Sequence, residues 1–316
     1  MTSAGNARNG ARAWLVLLLL SLIWGSSFIL MKEGLEGFDA LQLALIRMSV
    51  AALCLFPYAL RYMRALGWRE IALLSVVGLT GNAIPAFLYA KSETVLPSAV
   101  VGVLTSMTPI FSLLIAWLFF RQRFPRTNVI GIVVGLAGAV VLAMAGSPEA
   151  GRSTSLAFAA LVLLATISYG ANVNLVKGFF SQRNPVLVTS IALSMVGWPA
   201  LFFLLAGTDF IDTLRTNPAA PAALGYIAIL GAFGTALSVL LFNRLLKDAT
   251  IIFATSVTYT IPIVAVIWGI ALHEEFTALH VVAFAVILAG VWLANRRTAP
   301  PVRTAPQPLR EADAAA

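Results

Sequence analysis

The stretch S21-L-I-W-G-S-S-F-I-L-M-K32 interrupts a long apolar run with an indole, a glycine and two hydroxyl groups. Residues 166–177 repeat the pattern as T-I-S-Y-G-A-N-V-N-L-V-K, with an aromatic residue, a glycine and a small polar residue at the same places. Polar side chains cost free energy when they face lipid. A pattern that occurs twice therefore indicates a task shared by two parts of the chain.

The composition is that of an integral membrane protein. Of 316 residues, 60% are hydrophobic and 11% are charged, against roughly a quarter charged in soluble domains, and the mean hydropathy is +0.92. A bilayer core about 30 Å thick requires about 20 apolar residues per helix. Since alternating strand patterns are absent, the sequence predicts an all-α membrane protein with these ten spans: Ala13–Met31, Ala40–Leu60, Ile71–Ala90, Ser98–Phe120, Thr127–Ala145, Leu156–Val176, Pro185–Ala206, Ala222–Leu241, Ile251–Leu272 and Ala278–Ala294.

Lysine and arginine collect on one side of this ten-span chain. Both tails and the loops at 61–69, 121–126 and 177–183 carry most of them, and the other side holds only Lys32, Lys91, Arg152 and Arg215. Cytoplasmic loops are enriched in these residues, so we expect a multi-pass protein of the cell (inner) membrane with both termini cytoplasmic. The net charge of +8 is then a topology signal and not the mark of a nucleic-acid partner.

The two ends of the chain and its single cysteine add little chemistry. No small-residue cleavage site follows the first apolar run, so residues 1–12 read as a cytoplasmic tail before a retained span. Residues 296–316 are rich in Pro and Ala, which predicts a disordered cytoplasmic tail. Cys54 has no partner for an intramolecular disulfide, and no Cys/His cluster has metal-ligand spacing, so neither a metal nor a cofactor is expected.

An internal repeat organises the spans. A shift of 145 residues, and later of 152 to 153, brings the two parts of the chain into register. Five spans in each part make the second enter the membrane in the opposite sense, so we expect two inverted five-helix repeats, residues 13–146 and 155–295, joined by a linker at 147–154. Such repeats place a central cavity near the midplane. The matched pairs are Gly25 and Gly170, Lys32 and Lys177, Asp39 and Asn184, Gly78 and Gly231, Gly81 and Gly234, Pro109 and Pro262, and Leu136-Ala137-Gly138 and Leu288-Ala289-Gly290.

These residues resemble the EamA-type members of the drug/metabolite transporter superfamily, from about Ala13 to about Ala294. The likeness rests on the ten-span duplicated plan and on Trp24-Gly25-Ser26-Ser27-Phe28 with Lys32, Leu45-Ile46-Arg47, Met107-Thr108-Pro109 and Thr260-Ile261-Pro262. Members typically end helices 4 and 9 with a Gly-Glu-Arg-like sequence. Here the first copy reads Phe120-Arg121-Gln122-Arg123 and has lost the acid, while the second reads His273-Glu274-Glu275-Phe276.

The resemblance implies a secondary transporter that works by alternating access, not an enzyme, and most simply an exporter of amino acids or related small metabolites. Small multidrug-cation pumps need an acid in the middle of their first helix, which helices 1 and 6 lack, and phosphorylated sugars would need several cavity cations. Neutral or zwitterionic solutes remain. A closed-cavity scaffold or sensor and a proton-coupled drug exporter stay as alternatives.

The candidate substrate pathway combines polar stripes from both repeats. Asn82 and Tyr89 in helix 3 correspond to a stripe with Thr235 and Ser238 in helix 8, and each residue either lines a cavity or bonds between helices. The repeated pattern of helices 1 and 6 adds residues that would meet across the midplane, or their glycines merely permit close packing. The remaining candidates, from helices 1, 6, 4 and 9, are Trp24, Ser27, Tyr169, Asn172, Thr105 and Thr258.

Three features could act in the transport cycle. Pro109 and Pro262 lie near the middle of their predicted spans, where each makes either a packing kink or a cavity-facing hinge. Arg47 is the only charge deep inside a span, roughly 12 Å from its end, and either binds a substrate carboxylate or satisfies helix-end carbonyls. Gly131 and Gly135 form a GxxxG pattern, which fits helix packing or a dimer contact, so the chain is a monomer or a homodimer.

Proton coupling finds little support in the sequence. Every Asp and Glu, Glu93 included, falls in a loop, in a tail or at a span end. We therefore expect facilitated diffusion, or at most a weak proton link through Glu274 or Glu275 at the outer mouth.

Overall fold

The computed structural model describes residues 4–64, 66–120, 126–145, 152–248, 253–254, 257–271, 274 and 277–295. Every regular element in these ranges is helical, which confirms the predicted fold class. Seven apolar helices are long enough to cross a bilayer: Arg12–Leu35, Ala40–Met63, Trp68–Glu93, Ser98–Phe119, Thr154–Phe179, Pro185–Gly207 and Ala220–Asp248. Three shorter apolar helices, Thr127–Leu142, Val257–Ala271 and Ala278–Ala294, coincide with the remaining predicted spans.

The first half consists of α1 (Ala4–Leu35), α2 (Ala40–Met63), α3 (Trp68–Gly78), α4 (Ile84–Glu93), α5 (Ser98–Thr105), α6 (Thr108–Phe120) and α7 (Arg126–Ala145). A π-helical turn, Leu79–Ala83, joins α3 to α4 without a break. The fourth predicted span is present as α5 and α6, and the chain turns between them, where a bend was expected at Pro109. Pro109 causes the interruption, since a proline ring clashes with the carbonyl four residues earlier, here that of Thr105.

The second half consists of α8 (Arg152–Phe179), α9 (Pro185–Gly207), α10 (Phe210–Thr216), α11 (Ala220–Gly231), α12 (Ser238–Asp248), α13 (Val257–Ala271) and α14 (Ala278–Asn295). A second π-helical turn, Ala232–Leu237, joins α11 to α12 at the position that matches the first one. Sequence reasoning predicted neither turn. Pro262 lies inside α13, so the two matched prolines sit in different backbone settings.

Matched residues begin the matched helices α2 and α9. The Asp39 carboxylate accepts hydrogen bonds from the backbone N–H groups of Leu41 and Gln42, both at 2.8 Å. Asn184 accepts one from the N–H of Val186 at 2.9 Å. These side chains satisfy backbone donors that have no partner inside the helix. The repeat therefore preserves the start of the helix as well as its apolar pattern.

The contacts between the halves follow a pseudo-two-fold axis. α1 packs on α11 and α13, and its counterpart α8 packs on α4 and α6. α3 packs on α9, and its counterpart α11 packs on α2. Equivalent helices also pair with each other, α2 with α9 and α7 with α14. This reciprocity is the arrangement that two inverted repeats produce.

Small residues allow the closest of these helix contacts. A Cβ atom on Gly170 would lie 2.7 Å from the backbone nitrogen of Ser112 in α6, and one on Gly25 would overlap Val264 in α13. These two glycines therefore permit close helix packing, which was one of the two roles considered for them. A Cβ on Gly131 would likewise overlap the backbone of α14, so within this chain the GxxxG pattern serves helix packing.

Candidate functional site

A cavity of about 90 Å³ lies between the two halves, where helices of both repeats meet. This is well below the roughly 300–1,000 Å³ of pockets for drug-sized ligands, so the space fits a compact solute. Most of its wall is apolar or aromatic. The lining residues are Trp24, Ser27, Phe28, Met31, Arg47, Gly81, Tyr89, Thr105, Thr108, Tyr169, Asn172, Val173, Val239, Phe242, Asn243, Thr258 and Ile261.

The opening motif forms one wall of this cavity. Trp24 donates its indole N–H to the Ser238 hydroxyl at 2.9 Å and to the carbonyl of Gly234 at 3.2 Å. The Ser27 hydroxyl donates to the carbonyl of Ile23 at 2.8 Å, within its own helix. The indole is thus fixed against the second π-helical turn. Its ring packs against that of Phe242, with ring centres 5.3 Å apart.

The matching motif forms the opposite wall. Tyr169 stacks on Tyr89 with ring centres 5.9 Å apart and an interplanar angle of 30°. Asn172 donates its amide to the carbonyl of Val77 at 2.8 Å, beside the first π-helical turn. Because a π-helical turn inserts an extra residue, it displaces the backbone locally and creates room for side chains from the facing helix. The two motif-bearing helices therefore each pack against the π turn of the other repeat.

Two amides present acceptor oxygens at the cavity. The NH₂ group of Asn243 donates to the Thr189 hydroxyl at 2.9 Å, and that of Asn172 is directed at Val77. Both residues line the cavity, and their Oδ1 atoms have no hydrogen-bond partner within the described part of the chain. The cavity wall can therefore accept hydrogen bonds at two places.

Arg47 is a cation in the cavity wall, and the residue is only 7% exposed. Its Nε donates to the Thr235 hydroxyl at 2.7 Å, and its Nη1 lies 3.8 Å from the sulfur of Met31. Its Nη2 has no hydrogen-bond partner, and no carboxylate lies within ion-pair distance, in the ranges that the structure describes. A buried cation without an anion leaves unused capacity for one.

Most of the predicted pathway residues line the cavity, and three do not. Trp24, Ser27, Tyr89, Thr105, Tyr169, Asn172 and Thr258 are in its wall. Asn82 is 5% exposed and lies outside the lining, on the first π-helical turn, where the extra residue rotates it away from the face predicted for a regular helix. Thr235 and Ser238 lie behind the wall, as partners of Arg47 and Trp24. Pro109 and Pro262 are not lining residues either.

Sequence reasoning left some lining residues out of the pathway. Phe242, the repeat counterpart of Tyr89, ends the matching stripe of helix 8 but was not counted among the pathway residues. Asn243, an amide within an apolar span, carried a weaker signal. Phe28, Met31 and Ile261 carried none, because an apolar residue in a membrane helix reads the same whether it faces lipid or a cavity.

The acidic candidates lie at one end of the helix bundle, here named the Lys32 end. The Glu274 side chain is 4% exposed and accepts hydrogen bonds from the Lys32 ammonium at 3.1 Å and from the N–H groups of Ser98 and Ala99 at 2.9 and 3.2 Å. Glu274 belongs to the second repeat and therefore stabilises the start of α5 in the first repeat. Glu275 lies outside the described residues. At the opposite end, the counterpart of Lys32, Lys177, donates to the backbone carbonyl of Leu246.

The comparison with known families agrees with this architecture. The model of the EamA-like transporter family matches the chain twice, over residues 11–144 and 156–296. The chain belongs to the EamA-like transporter family. EamA members are transporters, so a transport function follows, and the exclusion of an enzyme is confirmed.

Individual EamA relatives cover nearly the whole chain. A protein of Streptantibioticus cattleyicolor named a probable terminal-alkyne amino-acid exporter is 28% identical over 95% of this chain and 99% of its own length. An uncharacterized transporter of Archaeoglobus fulgidus is 25% identical over 90% and 99%. The uncharacterized inner membrane transporter YedA of Escherichia coli K12 is 27% identical over 86% and 88%. A crystal structure 16% identical, covering 90% of this chain and 96% of its own, superposes with a TM-score of 0.60 and shares the fold.

Proposed function

We propose that this EamA protein is a secondary transporter of small zwitterionic solutes, amino acids or close relatives, and that it exports them by alternating access. The observation that carries the proposal is Arg47, a buried cavity cation with an unused Nη2 and no acidic partner in the described ranges. A solute carboxylate supplies the missing anion through charge-assisted hydrogen bonds.

The rest of the cavity suits the other end of an amino acid. An α-ammonium group needs acceptors or aromatic faces, because it carries three donors and a positive charge. The Oδ1 atoms of Asn172 and Asn243 provide acceptors, and Trp24 and Tyr169 provide aromatic faces. The cavity volume of about 90 Å³ favours a single compact solute over a multidrug cation.

The cycle follows from the inverted repeats. Rocking of one repeat against the other alternately opens the two ends of the bundle, and the reciprocal contacts of α1 and α8 are the surfaces that would exchange. We assign the closed state to the end where the Lys32–Glu274 contact joins the two repeats. Export agrees with the printed name of the S. cattleyicolor relative. The cavity is complete within one chain, so the proposal requires no second copy.

Counterflow in liposomes tests this function. Purified protein is reconstituted into liposomes loaded with an unlabelled amino acid, and entry of the same ¹⁴C-labelled compound is followed for L-alanine, L-threonine, L-methionine and L-phenylalanine. We expect at least one of them to accumulate transiently above the level of protein-free liposomes. Absence of counterflow for the whole panel would favour a closed-cavity scaffold.

Two neighbouring serines provide a matched pair for the pathway. Ser27 lines the cavity, whereas the Ser26 hydroxyl accepts a hydrogen bond from the Trp268 indole at 2.9 Å, away from the cavity lining. Ser27→Phe should fill the cavity and abolish counterflow, and Ser26→Phe should retain most of it. Equal losses in two well-folded variants would place the solute elsewhere.

A further inference from the structure

An unpartnered acid lies beside the closed Lys32 end. Glu93 is the last residue of α4 and is 6% exposed, and both its carboxylate oxygens are buried without a hydrogen-bond partner in the described ranges. The sequence placed this acid at a span end, where water would solvate it. Its helix does end there, but the packing of the neighbouring helices excludes solvent.

Lys32, the lysine that acts on Glu93, is already engaged by another acid. Lys32 pairs with Glu274, which also accepts two backbone N–H groups of α5. Glu274 thus has three donors and Glu93 has none. A carboxylate with three donors is stable as an anion, whereas one buried without donors is stable only as the neutral acid.

The charges that face Glu93 also leave the neutral acid as its stable form. They are Glu274, Lys32 from α1 and Arg47 from α2. The Lys32–Glu274 pair is close to neutral as a unit, and its acid repels a second negative charge. Lys32 and Arg47 both favour the anion, but Lys32 is held by Glu274, and Arg47 lies beyond ion-pair distance of Glu93 with its Nε bound to Thr235. From α8, the titratable neighbour of α4 is Tyr169, which stacks on Tyr89.

Two further buried polar atoms also lack a hydrogen-bond partner. The hydroxyl groups of Tyr89, one turn before Glu93, and of Ser98, at the start of α5, are buried and without partners among the described residues. Unsatisfied buried groups are rare in folded proteins and often mark a functional site. Tyr89 is in the cavity wall, and the backbone N–H of Ser98 binds Glu274, so the two hydroxyl groups belong to residues of the cavity and of the Lys32–Glu274 contact.

We infer that Glu93 is a proton-binding site of this transporter, occupied when the Lys32 end is closed and vacated when that end opens. Opening separates the helices that cover Glu93 and admits water, which stabilises the carboxylate, so the proton leaves to that side. Closing removes the water again, and the acid takes up a proton. The inference rests on the proposed alternating-access function, and it assigns the coupling proton to Glu93 in place of Glu274 or Glu275.

Infrared spectroscopy of the purified protein tests the site without any solute. At neutral pH the wild type should show the carbonyl-stretching band of a protonated carboxyl, and labelling with ¹³C-glutamate should shift it. Glu93→Gln should remove this band. The matched control Glu36→Gln, at the same end but exposed, should retain it. A wild-type spectrum without a glutamate-sensitive band, or one that persists in Glu93→Gln, would overturn the inference.

Exchange measured at equal pH on both sides tests the link to opening. Closed and open forms that differ by one proton change their ratio tenfold per pH unit. Counterflow of the transported amino acid should therefore rise with pH in the wild type and stay flat in Glu93→Gln between roughly pH 6 and 8, since an exposed Glu ionises near 4.3. Identical pH profiles would refute the coupling. Missing counterflow with an intact Glu93 band would instead refute the proposed transport.

Discussion

Replacement of Arg47 by glutamine removes the cation of the cavity and leaves its surroundings in place. Thr235 keeps a hydrogen bond to the carbonyl of Leu230 at 3.3 Å, and no ion-paired carboxylate is left behind within the described part of the chain. We therefore expect Arg47→Gln to fold and to insert normally. If Arg47 instead served only to satisfy hydrogen-bond acceptors within the protein, its removal would lower the yield and the thermal stability.

The expected loss of affinity follows from the bonds that disappear. A hydrogen bond to a charged group contributes about 1.5–3 kcal/mol, and each 1.4 kcal/mol is a factor of ten. Loss of the contact between Nη2 and a solute carboxylate should raise the half-saturating concentration by about 10- to 150-fold. Arg47→Lys keeps the charge but loses the planar fork, so its loss should be smaller.

The assay compares each amino acid with its carboxamide. Counterflow is measured in liposomes for both compounds, with wild type, Arg47→Gln and Arg47→Lys at equal protein content. The amino acid should lose affinity in Arg47→Gln, whereas the carboxamide, which has no carboxylate, should be transported poorly and equally by all three proteins. An unchanged half-saturating concentration for the amino acid would refute carboxylate binding at Arg47, as would parallel losses for both compounds.

Two more predictions concern packing and topology. Gly290→Ala should lower the melting temperature in detergent, because its Cβ would overlap the backbone of α7, whereas Gly225→Ala, which meets nothing within 4 Å, should leave it unchanged or raise it slightly. Equal shifts would contradict the packing of α7 on α14. In a Cys54→Ser background, Glu36→Cys should react with an impermeant maleimide on intact cells and Arg64→Cys only after permeabilisation. The reverse labelling would invert the predicted orientation.

Much of the fold was present in the local pattern. The apolar runs predicted the helical class, because only a helix satisfies its own backbone groups in lipid without closing into a barrel. The repeat predicted which residues are equivalent, and the matched helix starts at Asp39 and Asn184 show that this equivalence is structural. It also predicted that Trp24 and Tyr169 line one cavity from opposite sides.

Backbone irregularities escaped prediction because they depend on partners distant in sequence. The local composition at the π-helical turns, Leu79–Ala83 and Ala232–Leu237, gives no signal of them. Each turn faces the motif-bearing helix of the opposite repeat. They move Asn82 out of the cavity wall that a regular helix would have given it. The break after Thr105 shows the opposite case, because the local rule for Pro109 predicted a bend in this span from the sequence alone.

The sequence by itself determined the class of protein, its two repeats and the residue types available for binding. Only the tertiary structure decided how the charges are distributed among partners: Lys32 pairs with Glu274, Glu93 is left without a donor, and Arg47 faces the cavity without an acid in the described ranges. The physical reason is that hydropathy records how each residue partitions into lipid. Which donor reaches which acceptor depends on helices that lie hundreds of residues apart in sequence and a few ångströms apart in space.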